Sequence, residues 1–190
     1  ASAFLAQQMV GPRRLKVITT LHGTDITLVG QEPSFFPITK FLIERSDAVT
    51  AVSDFLRRET QRVFEIQRPI EVITNFVDTR AFKPRDRERP RRFAAADELL
   101  VVHASNFRPV KNVPAVIEVV AATRELPIRL LLLGDGPEMV TIRRLVDERG
   151  IADRVRFLGQ AENLEQFLPE ADVLLLPSLH ESFGLVALEA

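Results

Sequence analysis

The stretch Ile128-Arg-Leu-Leu-Leu-Leu-Gly-Asp-Gly-Pro-Glu138 joins an apolar run of strand length to a glycine turn and a helix start. The run is continuous rather than alternating, which is typical of a parallel strand buried on both faces. Pro137 suits the first position of a helix, and Glu138 complements the helix dipole. An apolar stripe with helical spacing follows, at Met139, Ile142, Leu145 and Val146. The stretch therefore predicts a β-strand followed by an α-helix that packs on a sheet.

The same alternation extends through the chain on both sides of this unit. Strand-like runs rich in Val, Ile and Leu are found at residues 15–21, 48–52, 70–74, 99–103, 128–133, 155–158 and 173–176. Helical segments are expected between them, at residues 34–45, 54–64, 112–124, 138–149 and 163–169. Strands that alternate with helices predict an α/β fold with parallel sheets and helices on both faces.

Residues 83–92 interrupt the alternation, because they contain no apolar residue except two prolines and six of the ten are basic. An anion-binding patch is one interpretation. A solvated connector between two α/β domains is the other, and mixed charges with proline favour it. We therefore predict the end of one domain at 1–80, a linker at 81–97 and the start of a second domain at 98–190. Both chain ends look like helix interiors, so we expect an internal piece of a longer protein.

Composition excludes several classes of function. The 190 residues carry a formal net charge of -1, which leaves no electrostatic footprint for nucleic acid or an anionic membrane. Cysteine is absent, so disulfides, thiolate nucleophiles and cysteine-ligated zinc are excluded. The three histidines match no metal-site spacing, and no Asp-x-Asp pair is present, so no metal is expected. No apolar stretch approaches the ~20 residues that span a bilayer.

The segment after the strand at 99–103 contains Asn106, Arg108 and Lys111, followed by a helix start near Asn112. Ligands bind at the carboxyl ends of parallel strands, and cations beside a helix N-terminus suit phosphate oxygens. A surface loop with two solvated cations would have the same pattern. The Gly-Asp-Gly turn after residue 133 lacks the third glycine of a dinucleotide fingerprint, so a tight structural turn is favoured there.

Residues 177–189, Pro-Ser-Leu-His-Glu-Ser-Phe-Gly-Leu-Val-Ala-Leu-Glu, form the most specific segment. Glu181 lies in a predicted loop, and Gly184 opens a helix whose free N–H groups can face an anion. Glu189 lies one to two turns into that helix. Carboxylates accept hydrogen bonds from sugar hydroxyls, so the two glutamates could hold two parts of one ligand. The complete string favours this interpretation over two unrelated surface carboxylates.

His22 and Thr24 follow the strand predicted at 15–21 in the first domain. The imidazole could donate to an oxygen ligand, and the hydroxyl could bind a small polar acceptor. A single histidine at a strand end is more often structural, so the pattern alone leaves both interpretations open.

The Glu181–Glu189 string, together with residues 172–178 and 133–137, resembles the donor half of the family 4 retaining glycosyltransferases. That family has the GT-B fold, two facing Rossmann-like domains with the active site in the cleft, and we expect both domains to be incomplete here. Residues 20–30, 33–35, 75–78 and 105–111 further resemble the members that transfer GlcNAc from UDP-GlcNAc to L-malate, the first step of bacillithiol biosynthesis. The Glu-x7-Glu pattern is specific to the superfamily, whereas residues 22–25 and 106–111 point to the subgroup.

The resemblance implies that Arg108 and Lys111 hold the diphosphate of UDP and offset the charge that develops as the glycosidic bond breaks. Many family members have an arginine five residues before the phosphate lysine, but Asn106 occupies that position here. The division of phosphate binding between Asn106 and Arg108 therefore stays open.

The resemblance also implies contacts to the sugar and the acceptor. Glu181 would bind hydroxyls of the GlcNAc ring and Glu189 those of the ribose. Backbone N–H groups of Phe183, Gly184 and Leu185 would meet the sugar and phosphate. His22 would contact the donor sugar, and Thr24 would lie near the acceptor.

The expected enzyme uses UDP-GlcNAc as a substrate, a small hydroxy acid as acceptor, and no cofactor or metal. Soluble substrates imply a cytoplasmic enzyme without a nucleic-acid partner or membrane span, and the oligomeric state stays open. Two alternatives remain. The enzyme could use another donor or acceptor, or this chain could bind a nucleotide sugar without catalysing transfer.

Overall fold

The computed structural model describes residues 2–11, 15–23, 32–86 and 90–190. Within these ranges, strands and helices alternate along the chain. The strands are β1 (Ile18–Leu21), β2 (Ala48–Ala51), β3 (Glu71–Val72), β4 (Leu99–Ala104), β5 (Ile128–Leu133), β6 (Val155–Gly159) and β7 (Val173–Leu174). The α-helices are α1 (Ser2–Val10), α2 (Phe36–Arg45), α3 (Asp54–Phe64), α4 (Val113–Ala122), α5 (Met139–Glu148) and α6 (Leu185–Glu189).

The chain divides into two compact units. The first comprises residues 1–76 and 181–183, and the second comprises residues 77–180 and 184–190. Each unit has one parallel sheet, with strand order β1-β2-β3 in the first and β6-β5-β4-β7 in the second. The α/β fold with parallel sheets is therefore confirmed. The predicted boundaries at residues 80 and 97 stay predictions.

The first unit connects its helices to its sheet through buried and half-buried polar groups. Asp47 accepts hydrogen bonds from the Val17 N–H at 2.9 Å and from the Gln7 amide at 3.0 Å, which links β1 and α1 to the start of β2. Ser53 caps α3 by accepting from the Leu56 N–H at 3.2 Å. The apolar core includes Leu21, Ile43, Val49, Ala51, Leu56, Phe64 and Ile70.

The second unit is built around β4, whose side chains alternate between two apolar cores. Val101 enters one core, and Leu100 and Val102 enter the other. The first of these cores receives the predicted stripe of α5, with Ile142 and Val146 buried and Met139 and Leu145 packed against them. This arrangement confirms the helical stripe predicted after Pro137.

The strand order of the second sheet reverses at β4. The chain runs outward from β4 through β5 to β6, and then returns to the opposite side of β4 at β7. In open parallel sheets such a reversal opens a crevice at the carboxyl ends of the two adjoining strands. The loops that follow β4 and β7 therefore meet at the position where a ligand is expected.

One predicted helix is wrong. Residues 163–169 form no α-helix but lie largely in two 3₁₀ turns, Leu164–Gln166 and Leu168–Glu170. Pro169 lacks the N–H that an α-helix needs at that position, so the segment cannot continue as one. Strands β3 and β7 are also shorter than predicted, with two residues each.

Two arginines in the described part of the charged segment, Arg91 and Arg92, have partners in the second unit. Arg92 forms an ion pair with Glu170, with Nε and Oε1 3.0 Å apart. Arg91 forms an ion pair with Asp172 and donates to the Glu98 carbonyl at 2.7 Å. These two arginines therefore attach the segment to the second unit, and its role as a linker stays a prediction.

Asp172 joins this attachment to the central strand. Its carboxylate accepts from the Leu100 N–H at 2.7 Å as well as from Arg91. Burial opposes ionisation, but the Leu100 N–H and the Arg91 guanidinium outweigh it, so the pKa of Asp172 lies below its ordinary value. A lowered folded-state pKa contributes stability above the ordinary aspartate value, and this contribution is lost as the pH falls through the folded value.

We predict that Asp172→Asn destabilises the full-length protein at pH 7 by about 1 kcal/mol, because the charge-assisted bond to Arg91 is lost. The difference should shrink as the pH falls from about 4, the ordinary aspartate value, through the lower folded-state pKa of Asp172, where the wild-type carboxylate becomes protonated. Urea unfolding of both proteins at pH 7 and at several acidic pH values measures this difference. A gap that is independent of pH would contradict the assignment.

Candidate functional site

Two segments of the second unit meet at the reversal of strand order. The β4 loop (residues 105–112) follows β4, and the β7 segment (residues 175–180) follows β7. The Leu179 N–H donates to the Val110 carbonyl at 2.8 Å, and the Asn112 side chain donates to the Pro177 carbonyl at 3.3 Å. The two segments are therefore docked to each other by backbone-directed hydrogen bonds.

The β4 loop turns at Phe107, which has a positive φ of 36° and a fully buried ring. Its N–H donates to the Ser105 hydroxyl at 3.3 Å, and its carbonyl accepts from the Glu138 N–H at 3.1 Å. Left-handed backbone is uncommon for a residue with a side chain and persists only where the surroundings hold it. Burial of the Phe107 ring leaves its neighbours Asn106 and Arg108 exposed.

Arg108 supplies a cation that can meet an anionic ligand. Its backbone is extended, and the 3₁₀ turn Pro109–Lys111 follows directly. Among the described residues, no carboxylate lies within ion-pair distance of its guanidinium. Lys111 ends the same turn and is half-buried. The structure therefore brings together on one loop three residues predicted for donor binding, Asn106, Arg108 and Lys111.

A cavity of about 370 Å³ lies at the carboxyl ends of β4, β5 and β6. Its lining combines apolar surface, from Leu133, Ala161 and Leu164 among others, with the polar residues Ser105, Asn106, Asp135, Gln160 and Glu162. Asn106 connects the cavity to the β4 loop. The cavity can accept a ligand at the strand ends, beside the loop that carries Arg108.

The glycines of the Gly-Asp-Gly turn permit a close approach between two loops. A Cβ atom on Gly134 would lie 1.7 Å from the Ser105 carbonyl oxygen, and one on Gly136 would lie 2.1 Å from the Asn106 carbonyl oxygen. Gly134 also has a φ of 128°, which side chains rarely adopt. The turn therefore has the structural role that its sequence favours, and in addition its two glycines determine where the β4 loop lies.

We predict that Gly134→Ala lowers the stability of the full-length protein by at least about 2 kcal/mol and displaces the β4 loop, because the backbone oxygen of Ser105 cannot yield cheaply. Gly150→Ala is the matched control, since Gly150 also has a positive φ of 63° but has nothing within 4 Å of its added Cβ. The control should lose only about 1 kcal/mol. Denaturant unfolding measures both, and equal losses would contradict the close-approach argument.

The other predicted site residues are distributed over the two units. His22 is exposed and directly follows β1, and Thr24 lies outside the described residues. Glu181 is exposed and is grouped with the first unit, as is Phe183, which packs against that unit's core. Gly184 has a φ of 76° and precedes α6, which begins at Leu185.

Glu189 ends α6 and lines a different cavity, of about 390 Å³, together with Glu170, Asp172 and Arg91. Burial raises the pKa of its carboxyl, and the charge of Glu165 adds to the effect. The structure thus does not place Glu189 on the cavity that Asn106 lines.

Sequence reasoning missed the roles of two polar residues where the β4 loop begins, His103 on β4 and Ser105 at the start of the loop. His103 is fully buried, and both of its ring nitrogens lie 2.8 Å from hydrogen-bonding oxygens. A single polar residue inside an otherwise apolar strand was the available signal, because buried polar groups need partners.

The described ranges contain no cluster of three or more His, Asp or Glu side chains able to hold a metal ion. In the same ranges, every helix is too short or too polar to cross a membrane.

The amino-acid sequence matches two family models. The model described as "Glycosyl transferases group 1" matches residues 84–190, and the model described as "Glycosyltransferase Family 4" matches residues 1–81. The chain belongs to the group 1 glycosyl transferases. The family 4 resemblance of its motifs is confirmed, and the β4 loop and β7 segment both lie in the group 1 region.

Two relatives of this glycosyltransferase chain have different acceptors in their names. N-acetyl-alpha-D-glucosaminyl L-malate synthase of Bacillus anthracis is 45% identical over 99% of this chain and 50% of its own length. D-inositol 3-phosphate glycosyltransferase of Jonesia denitrificans is 30% identical over 78% of this chain and 39% of its own length. The chain thus spans about half the length of the first relative and less of the second.

The fold is also that of solved glycosyltransferase structures. HepE of Anabaena, crystallised with UDP and glucose, superposes with a TM-score of 0.82 at 20% identity. The superposition covers 100% of this chain and 53% of the HepE chain. The expected GT-B class, with two partial α/β domains, is confirmed by this likeness.

Proposed function

We propose that the full-length protein transfers N-acetylglucosamine from UDP-GlcNAc to L-malate with retention of configuration. The observation that carries the proposal is the 45% identity, over 99% of this chain, to a relative named as the L-malate synthase. The exposed cation of Arg108, at the reversal of strand order in the second sheet, supports a diphosphate ligand at that point.

In this proposal, Arg108 and Lys111 hold the two phosphates of UDP. Negative charge accumulates on the diphosphate as the bond to the sugar breaks, so fixed cations stabilise the transition state more than the ground state. The cavity that Asn106 lines receives the uracil base, since it adjoins the same loop. Asn106 then contacts the nucleotide from the cavity side, and Arg108 contacts the phosphates from the solvent side.

The remaining predicted residues complete the donor and acceptor contacts. Glu181 accepts hydrogen bonds from hydroxyls of the GlcNAc ring, and Glu189 from those of the ribose. Backbone N–H groups of Phe183–Leu185 meet the sugar and phosphate. His22 contacts the donor sugar, and Thr24 lies near the acceptor.

Front-face attack accounts for retention without a protein base. The acceptor hydroxyl oxygen forms the new bond to the anomeric carbon on the face from which UDP departs. The bond between that carbon and the phosphate oxygen breaks, and the leaving phosphate accepts the hydroxyl proton. UDP-GlcNAc enters as a substrate and no metal or cofactor takes part. Because both substrates are small and water-soluble, we place the enzyme in the cytoplasm.

The proposal is tested by incubating the full-length protein with UDP-GlcNAc and L-malate, and by following UDP release together with proton NMR of the product. We expect UDP release that depends on L-malate and an α-linked product. D-malate is the matched control and should support little turnover.

A second candidate is transfer to an inositol phosphate, because a relative with that activity in its name is 30% identical. Turnover with inositol 3-phosphate but not with L-malate would replace our proposal with this candidate. A β-linked product would refute retention.

We predict that Arg108→Ala lowers kcat/KM for UDP-GlcNAc by about 100-fold, because a cation that stabilises the leaving diphosphate is removed. Arg144→Ala is the control, since Arg144 is an exposed arginine on α5 that pairs with Glu148 of the same helix. The control should stay within twofold of wild type. Steady-state kinetics measure both, and an active Arg108→Ala enzyme would contradict the proposed role.

A further inference from the structure

We infer that His103 is a positioning residue for the donor site. It holds the β4 loop and the β7 segment in register with each other through one directed chain of hydrogen bonds. The inference rests on the proposed function, because it assumes that these two segments bind UDP-GlcNAc. His103 itself lies beneath the site and touches no substrate in this account.

His103 occupies a position where an apolar residue would be the simpler choice. It lies on β4 two residues after Val101 and therefore on the same face of the sheet, where the core is apolar. Its side chain is 0% exposed, and its ring lies 6.1 Å from that of Phe107. Burying a polar ring without partners is unfavourable, so its hydrogen bonds decide whether it is tolerated.

The two ring nitrogens connect segments that lie far apart in sequence. Nδ1 lies 2.8 Å from the carbonyl oxygen of Leu175, the first residue of the β7 segment. Nε2 lies 2.8 Å from the hydroxyl of Ser105, the first residue of the β4 loop. One side chain thus contacts the first residue of each of the two segments.

The partners assign a direction to every bond in the chain. A carbonyl oxygen only accepts, so Nδ1 carries a hydrogen and donates to Leu175. In the neutral ring Nε2 is then an acceptor, and the Ser105 hydroxyl donates to it. The Ser105 oxygen keeps a lone pair for the Phe107 N–H, which lies 3.3 Å away. The chain therefore runs from Phe107 through Ser105 and His103 to Leu175.

Both ends of this series of hydrogen bonds lie just beyond the end of a β-strand. Phe107 holds the left-handed turn that separates Asn106 from Arg108. Leu175 donates its N–H to the Val102 carbonyl at 2.9 Å, but the strand pairing of β7 ends one residue earlier, at Leu174. The Leu175 carbonyl is held by the His103 side chain, and the segment then passes through Leu179 towards Glu181.

This arrangement allows an effect of His103 on donor binding to be distinguished from its effect on folding stability. Leucine at residue 103 would fill the core but would provide neither the donor for Leu175 nor the acceptor for Ser105. The loop that carries Arg108 and the segment that leads to Glu181 would then no longer be hydrogen-bonded to the same side chain. We therefore expect donor binding to weaken by more than the loss of folding stability alone would cause.

The test measures UDP binding by calorimetry, the KM and kcat for UDP-GlcNAc, and the melting temperature, all on the full-length protein. Ser105→Ala, His103→Leu and the double variant should each bind UDP about tenfold more weakly than wild type. The double variant should be no weaker than His103→Leu, because the two residues act through one chain of bonds. KM should rise in the same proportion, with a smaller change in kcat.

Val101→Ala is the matched control. Val101 lies on the same strand and the same face and is 6% exposed, and its side chain carries no hydrogen-bonding group. This variant should melt at a lower temperature, because a buried branched side chain is truncated. Its affinity for UDP should stay within twofold of wild type.

The outcomes distinguish the two proposals. If wild type binds UDP and Ser105→Ala binds it equally well, the positioning role of His103 is refuted while the proposed function stands. The same conclusion follows if weakened binding tracks the melting temperature in every variant, Val101→Ala included. If wild type does not bind UDP, the proposed function itself is overturned, and this inference with it. If His103→Leu does not fold, unchanged UDP binding by Ser105→Ala still refutes the positioning role.

Discussion

The position of β4 between β5 and β7 is the constraint on which the candidate site depends. Because β7 pairs with β4 rather than with β6, the segments that follow β4 and β7 emerge side by side at the carboxyl edge of the sheet. The cation-bearing loop and the segment that leads to the first glutamate of the Glu-x7-Glu pattern therefore become neighbours. Had β7 added beyond β6, two strands would separate Arg108 from Leu179.

Close backbone approach and satisfied polar groups then fix the loops more finely than the strand order does. Gly134 lets the turn after β5 lie against the Ser105 carbonyl, and the Phe107 carbonyl accepts a hydrogen bond from Glu138 at the start of α5. His103 supports the same loop from below. Residues from two neighbouring strands, β4 and β5, and from the start of α5 thus determine the position of one turn, and this turn places the exposed side chains of Asn106 and Arg108.

The sequence alone predicts the elements of the second unit better than its tertiary contacts. Continuous apolar runs identify β4 and β5, because a strand that is buried on both faces consists mainly of consecutive apolar residues. The pairing of β7 with β4 is not local, because Leu175 and His103 are 72 residues apart. The same separation in sequence hides Leu175 as a partner of His103, although the place of His103 in an apolar run marks it as unusual. Pro169 shows that a local signal can be overlooked, because proline disfavours the interior of an α-helix and here lies within the second of the two 3₁₀ turns. Glu181 and Glu189 are recognised from the Glu-x7-Glu pattern. Their positions in the structure depend on tertiary contacts, which cannot be read from the spacing of residues.

The central claim is that the β4 loop receives the diphosphate of a nucleotide sugar. The most direct measurement is a crystal structure of the full-length protein with UDP. The account predicts phosphate oxygens within about 3 Å of the Arg108 guanidinium and the Lys111 ammonium group, with the uracil base in the cavity lined by Asn106 and Gly134. A diphosphate bound elsewhere, with Arg108 still free in solvent, would contradict it.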